Sequence, residues 1–148
     1  MVENYLGGIN PYEFQNLIKA LPEGMGYQVS RVTPPDKDGG INLIAFQDHL
    51  GTIGLRIKVQ VKRQQSTVGA ESIRSFPGVL SDHDDIGLFI SPGGFSADAE
   101  KEARTHSSKR PTLLDSQKLF DLWIEHYENL PQESQLLLHI RPVYYLAL

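Results

Sequence analysis

A chain of 148 residues with 40% hydrophobic and 22% charged residues has the proportions of one globular domain, which excludes a fibrous or disordered architecture. The absence of cysteine excludes thiolate metal sites and cysteine nucleophiles, and no apolar run approaches the ~20 residues of a membrane-spanning helix. A net charge of -4 excludes nucleic-acid binding through overall positive charge, because phosphate affinity comes from Lys and Arg that displace counterions, so any such contact must be local.

The first ten residues lack a basic and apolar leader, so a cytoplasmic protein is expected. Pro11 suits the first turn of a helix, and Phe14, Leu17, Ile18 and Leu21 recur at i, i+3, i+4 and i+7, which predicts an amphipathic helix that Pro22 and Gly24 end or distort. A strand is predicted over Tyr27 to Val32, a turn through Pro34, Pro35, Asp36, Gly39 and Gly40, and a second strand over Ile41 to Phe46. Ile57, Val59 and Val61 alternate with Lys58, Gln60 and Lys62, the period-2 pattern of a strand with one polar face. Val68 to Leu80 reads as helix, Ile86 to Ile90 as a short apolar strand, and Ser96 as the N-cap of a helix through Arg104. Thr112 to Leu114 is a further strand, and Asp115 or Ser116 caps a last helix lined by Leu119, Phe120, Trp123 and Tyr127.

The order αβββαβαβα, a meander followed by helical crossovers, predicts an α/β fold with a mixed central sheet flanked by helices on both faces. One domain is expected over residues 1–148, with its core at about 11–130 and a tail over 131–148. That tail is apolar from Leu136 to Leu148, so it is expected to pack on the domain or on a partner chain.

Two features draw attention as chemistry. Asp38-Gly39-Gly40-Ile41-Asn42 turns into a strand, and Gln60-Val61-Lys62 lies on the polar face of the next. Adjacent strands of a meander can set Asn42, Gln60 and Lys62 at one sheet edge, where oxygens hold Mg²⁺ and an ammonium faces a phosphate. The alternative is plain scaffolding. Positive charge concentrates in Arg56, Lys58, Lys62 and Arg63 and again in Lys101, Arg104, Lys109 and Arg110, either as phosphate contacts or as solvated faces. His83 among Asp82, Asp84 and Asp85 resembles a metal cluster but equally an acidic loop, and His49, His106, His126 and His139 have no partner at ligand spacing. The segment Ser91-Pro92-Gly93-Gly94-Phe95-Ser96 is either a capped loop or a set of amides for a phosphate at a helix N-terminus.

The segments PYEFQNLI, MGYQVSRV, DGGINLIA, IKVQVKR, GLFISPGGFSADAEKEA, LLDSQKLFDLWIEHY and RPVYYLA, in this order over residues 11–148, resemble the Mrr-like restriction endonucleases of the PD-(D/E)XK superfamily. The resemblance implies a restriction-endonuclease-like αβββαβ core and cleavage of double-stranded DNA with Mg²⁺ or Mn²⁺. It also implies an acidic residue ending the glycine turn, a Gln or Glu two residues before a lysine, and often a glutamate in the first helix. Those positions are Asn42, then Gln60 with Lys62, then Gln15, with Asn42 and Gln60 as the metal ligands. Arg56, Lys58, Arg63, Arg104, Lys109 and Arg110 are the expected DNA contacts.

Here the chain departs from the pattern. DGGID reads DGGIN, and Gln15, Asn42 and Gln60 are all amides, leaving Asp38 and Glu13 as the nearest carboxylates in sequence. A unit charge ~4 Å from a divalent ion contributes on the order of 8 kcal/mol at an effective dielectric near 20, so its loss weakens metal binding severely. Three explanations are open: an Asp-to-Asn change introduced to inactivate the protein, a naturally degenerate site, or Asp38 acting in place of the missing acid. Three functions are correspondingly open: a metal-dependent endonuclease, a catalytically dead nuclease-fold DNA-binding module, and an assembly domain. A double-strand cut implies a two-fold dimer, and the short chain implies target recognition that is intrinsic or supplied by a separate protein.

Overall fold

In the computed structural model, residues 2–33, 41–47, 50, 56–64, 66–76, 85–105, 110–138, 140, 144 and 146–147 are described. The first sequence-predicted helix is the second helix of the fold, because α1 (Val2–Gly8) precedes it unannounced by any periodicity. Asn10 starts α2 (Pro11–Gly24) by accepting the Tyr12 amide on its side chain at 2.8 Å, with Pro11 in the first turn where no amide is needed. Pro22 lies in the last turn and the helix ends at Gly24, the two residues expected to end or distort it, and the chain turns at Gly26, whose φ of +92° suits a residue without Cβ.

Five strands follow the predicted order: β1 (Gln28–Val32), β2 (Ile41–Phe46), β3 (Arg56–Val61), β4 (Asp85–Ile90) and β5 (Thr112–Leu114). They form one sheet in the order β1-β2-β3-β4-β5, antiparallel through the meander β1-β2-β3 and parallel across β3-β4 and β4-β5. The parallel pairs require crossovers, supplied by α3 (Ala70–Ser75) and α4 (Ala97–Thr105). The helix expected over Val68 to Leu80 is shorter at its start: Val68 instead forms a bridge to Phe95, and positions 77–84 lie outside the described residues. Asp115 caps α5 (Ser116–Glu125), accepting the Lys118 amide at 2.9 Å. A 3-10 turn (Tyr127–Asn129) and α6 (Gln132–Gln135) complete the described elements.

The sheet separates two apolar layers. On one face Leu43 and Ala45 of β2 and Ile57, Val59 and Val61 of β3 pack with Phe14, Leu17, Ile18 and Leu21 of α2 and Leu119 and Trp123 of α5. On the other, Phe89 of β4 joins Val68, Ile73, Phe76, Ala99 and Ala103, with Phe76 and Phe95 each edge-on to Phe89 at 5.5 and 5.7 Å. The expected packing of the apolar tail holds as far as Leu138, which is buried, and Ile140; Tyr144 and Leu146 are 88% and 91% exposed.

Candidate active site

The alternation that buries Ile57, Val59 and Val61 turns Arg56, Lys58 and Gln60 to the opposite face of β3, and Lys62 continues that face just past the strand. In the β2-β3 ladder Asn42 is the direct partner of Gln60. The Asn42 carbonyl accepts the Thr33 amide at 2.8 Å on the β1 side, so toward β3 the pair is the non-hydrogen-bonded kind, with Cα atoms about 4.5 Å apart and side chains close. Asn42 is exposed and Gln60 half-buried.

Lys62 is fixed at both ends. Its backbone amide donates to the Ile90 carbonyl at 2.9 Å, extending the β3-β4 pairing, and its ammonium donates to Ser72 Oγ of α3 at 2.9 Å. Ser72 was not singled out in the sequence; ten residues and a loop separate it from Lys62, and only the folding of α3 onto the sheet joins them. Asn42, Gln60 and Lys62 therefore form a row across the β2-β3 face. Gln15 follows Phe14 on α2, the helix packed against the other face, and the Phe14 ring lies under the guanidinium of Arg63, one residue past Lys62. The half-buried Gln15 side chain has no hydrogen bond to the row among the described residues. Asp38 lies outside the described residues.

Among the described residues this donor set does not fit Mg²⁺. Two neutral amides and an ammonium bring no negative charge, whereas the ion is ordinarily held by one or two carboxylates. No group of three or more His, Asp or Glu able to hold a metal occurs among the described residues. Of the His83 cluster only Asp85 is described, and it has another use.

Asp85 is the buried carboxylate of an ion-pair triad. Its side chain is 0% exposed, and it accepts Arg56 Nε at 2.7 Å and Lys58 Nζ at 3.3 Å. A buried charge is tolerated only when paired, and Arg56 lies directly across the β3-β4 ladder. Arg56 and Lys58, expected to face DNA, are thus engaged inside the protein. So is Arg63: its guanidinium donates to the carbonyls of Leu6, Gly7 and Ile9 and stacks over Phe14 at 5.1 Å. Burial pulls the Arg63 pKa below its ordinary value. Arg104 and Arg110 are exposed, at α4 and before β5, and Lys109 lies outside the described residues.

The glycine loop after β4 is a capped loop. Ser96 Oγ accepts the Ala99 amide at 3.1 Å, and the amides of Ser91, Gly94 and Ser96 all donate to backbone carbonyls, so these three are not turned to a ligand. His126 ends α5, and the other four histidines lie outside the described residues. No helix among the described residues is long and apolar enough to cross a membrane.

Comparison with known proteins agrees with this architecture. The sequence model of the restriction endonuclease family Mrr_cat matches residues 6–123. The type IV methyl-directed restriction enzyme EcoKMrr of Escherichia coli (strain K12) is 31% identical over 132 residues, covering 85% of this chain and 41% of that protein. The solved structure of the DNA modification-dependent restriction endonuclease AspBHI superposes with a TM-score of 0.61 at 17% identity, covering 90% of this chain and 36% of the other. The chain thus spans about two fifths of the length of its curated relative.

Proposed function

The chain belongs to the Mrr_cat restriction endonuclease family, and from that premise we propose that it is a nuclease module acting on phosphodiesters of double-stranded DNA at the row Asn42, Gln60 and Lys62. The observation that supports this is the ladder pairing of Asn42 with Gln60 beside an ammonium held by Ser72. Lys62 supplies positive charge to a phosphate oxygen as negative charge develops on it. The restriction family generally works with divalent metal, and here the missing carboxylate at Asn42 leaves metal-dependent hydrolysis weak or absent. Modified DNA is the proposed target, as the name of the 31% identical relative suggests. A two-fold dimer would bring two rows to the two strands, and a separate protein or domain would choose the sequence.

A second reading, a DNA-binding module without cleavage, is favoured by one observation: every described residue of the row is an amide or a cation. One pair of assays separates the two. Binding to duplex DNA is measured by fluorescence anisotropy in Ca²⁺, and cleavage of methylated and unmethylated plasmid in Mg²⁺ and Mn²⁺. Binding with cutting establishes the nuclease, binding without cutting the module, and an absence of both removes DNA as the ligand.

A further inference from the structure

Away from the row, a groove of about 530 Å³ opens between α4, the edge strand β5 and the first turn of α5. Among the described residues it is lined by the apolar Ala103 and Leu113, by Arg104, Arg110 and Lys118, and by a single acid, Glu100. No hydrogen bond or ion pair among the described residues engages the side chains of these three cations. That contrasts with Arg56, Lys58 and Arg63, each of which is held internally.

The chemistry of such a groove is anion binding. Three cations with one carboxylate among the described lining residues leave a local charge of +2 on a chain of net charge -4, which favours an anion. Two of the three are arginines, whose planar forks match phosphate oxygens in pairs. A duplex strand presents one phosphate per ~3.4 Å of helix axis, so a single strand can meet the three cations in succession. The position is distinct from the row. β5 is the second strand beyond β3, roughly 10 Å away at the usual strand spacing, and Thr112 aligns with Leu88, two positions before the Ile90 that holds Lys62.

We infer that this groove is a second nucleic-acid contact, which takes backbone phosphates of the DNA flanking the segment at the row. The assignment rests on the DNA reading above and adds to it Lys118, which sequence proximity did not group with the basic clusters.

The test uses the full chain with Arg104, Arg110 and Lys118 all changed to Gln, against the parent and Lys62→Gln, on a fluorescein-labelled 30-base-pair duplex in Ca²⁺ over a range of NaCl. Affinity of the triple variant is expected to fall at least tenfold at the lowest salt. Its slope of log K against log salt should shrink by about 2 to 3, at ~0.9 per phosphate released, while Lys62→Gln shrinks it by no more than about 1. Arg104→Lys with Arg110→Lys keeps the charge and should retain most of the slope, which separates lost charge from lost fold. A parent that binds no duplex removes the DNA reading and the groove with it. A parent that binds, with an unchanged slope in the triple variant, removes the groove alone. Saturable binding of AMP, or of an acidic decapeptide, as tight as that of the duplex and lost in the triple variant would overturn the nucleic-acid assignment.

Discussion

Asn42→Asp is the change that tests the row most directly. The side chain is exposed and its partner Gln60 is half-buried, so the new carboxylate sits at the boundary between solvent and protein. A unit charge ~4 Å from a divalent ion is worth about 2 kcal/mol at the dielectric of water and about 8 kcal/mol near a dielectric of 20. The exposure of Asn42 selects the lower end, and about 2 kcal/mol corresponds to roughly thirtyfold in affinity. Because Asp and Asn are nearly isosteric and the site is exposed, stability should change by no more than about 0.5 kcal/mol. Calorimetry with Mn²⁺ should therefore show at least a thirtyfold tighter site in the variant, on the order given by that charge term. Supercoiled plasmid should be linearised in Mg²⁺ by the variant far faster than by the parent, and Gln15→Glu added to it should raise the rate further. A variant that gains no metal affinity, and cuts neither methylated nor unmethylated plasmid, would refute Asn42 as the position of the missing acid.

In that Asn42→Asp background, Lys62→Ala should lower the cleavage rate by about 10² or more while DNA affinity stays within a few-fold, since the ammonium acts on developing charge; retention of most of the rate would remove its role. Asp85→Asn takes away the carboxylate that Arg56 and Lys58 share. With those cations 27% and 12% exposed, the cost sits near the low end for a broken buried pair, about 3 kcal/mol. That lowers Tm by roughly 6 to 12 °C in a chain of this size, and a melt unchanged within about 2 °C would contradict the triad's burial. Gly24→Ala places a Cβ 2.7 Å from Leu130 Cδ2, on a leucine only 5% exposed. Overpacking of about 1–3 kcal/mol then outweighs the gain of about 0.8–1 kcal/mol from replacing a helical glycine. A stabilised Gly24→Ala protein would show that Leu130 moves aside.

The strands were legible because a strand's pattern is its burial: Val59 and Val61 alternate with Lys58 and Gln60 since one side faces the α2 layer and the other does not. The pairing of Asn42 with Gln60 was within reach too, because consecutive strands joined by a short connection lie antiparallel. What escaped depends on contacts distant in sequence. Nothing in residues 2–8 marks α1, which is tied down by Arg63 on the carbonyls of Leu6 and Gly7 and by the Tyr5 hydroxyl on the Leu137 carbonyl. Pro22 and Gly24 were legible as the helix end: the helix stops at Gly24, and the amides of Met25, Gly26 and Tyr27 bond to the Leu21, Pro22 and Glu23 carbonyls.

The cations show why charge alone does not locate a binding surface. Arg56, Lys58 and Lys62 share one face of β3 and looked equivalent in sequence, yet the strand uses its two ends differently. At the start of the strand, β4 presents Asp85 and closes the face with a buried carboxylate. At its end, the neighbours are Phe89 on β4, Asn42 on β2 and Ser72 on α3, none of them charged. Among the described residues the ammonium there meets a neutral hydroxyl and forms no ion pair with a carboxylate, which leaves its charge for a phosphate. The same reasoning sets Arg104, Arg110 and Lys118 apart from Arg63, whose guanidinium is spent on backbone carbonyls. Which cations can serve DNA is decided by the neighbours that the sheet order and the helix packing assign to each.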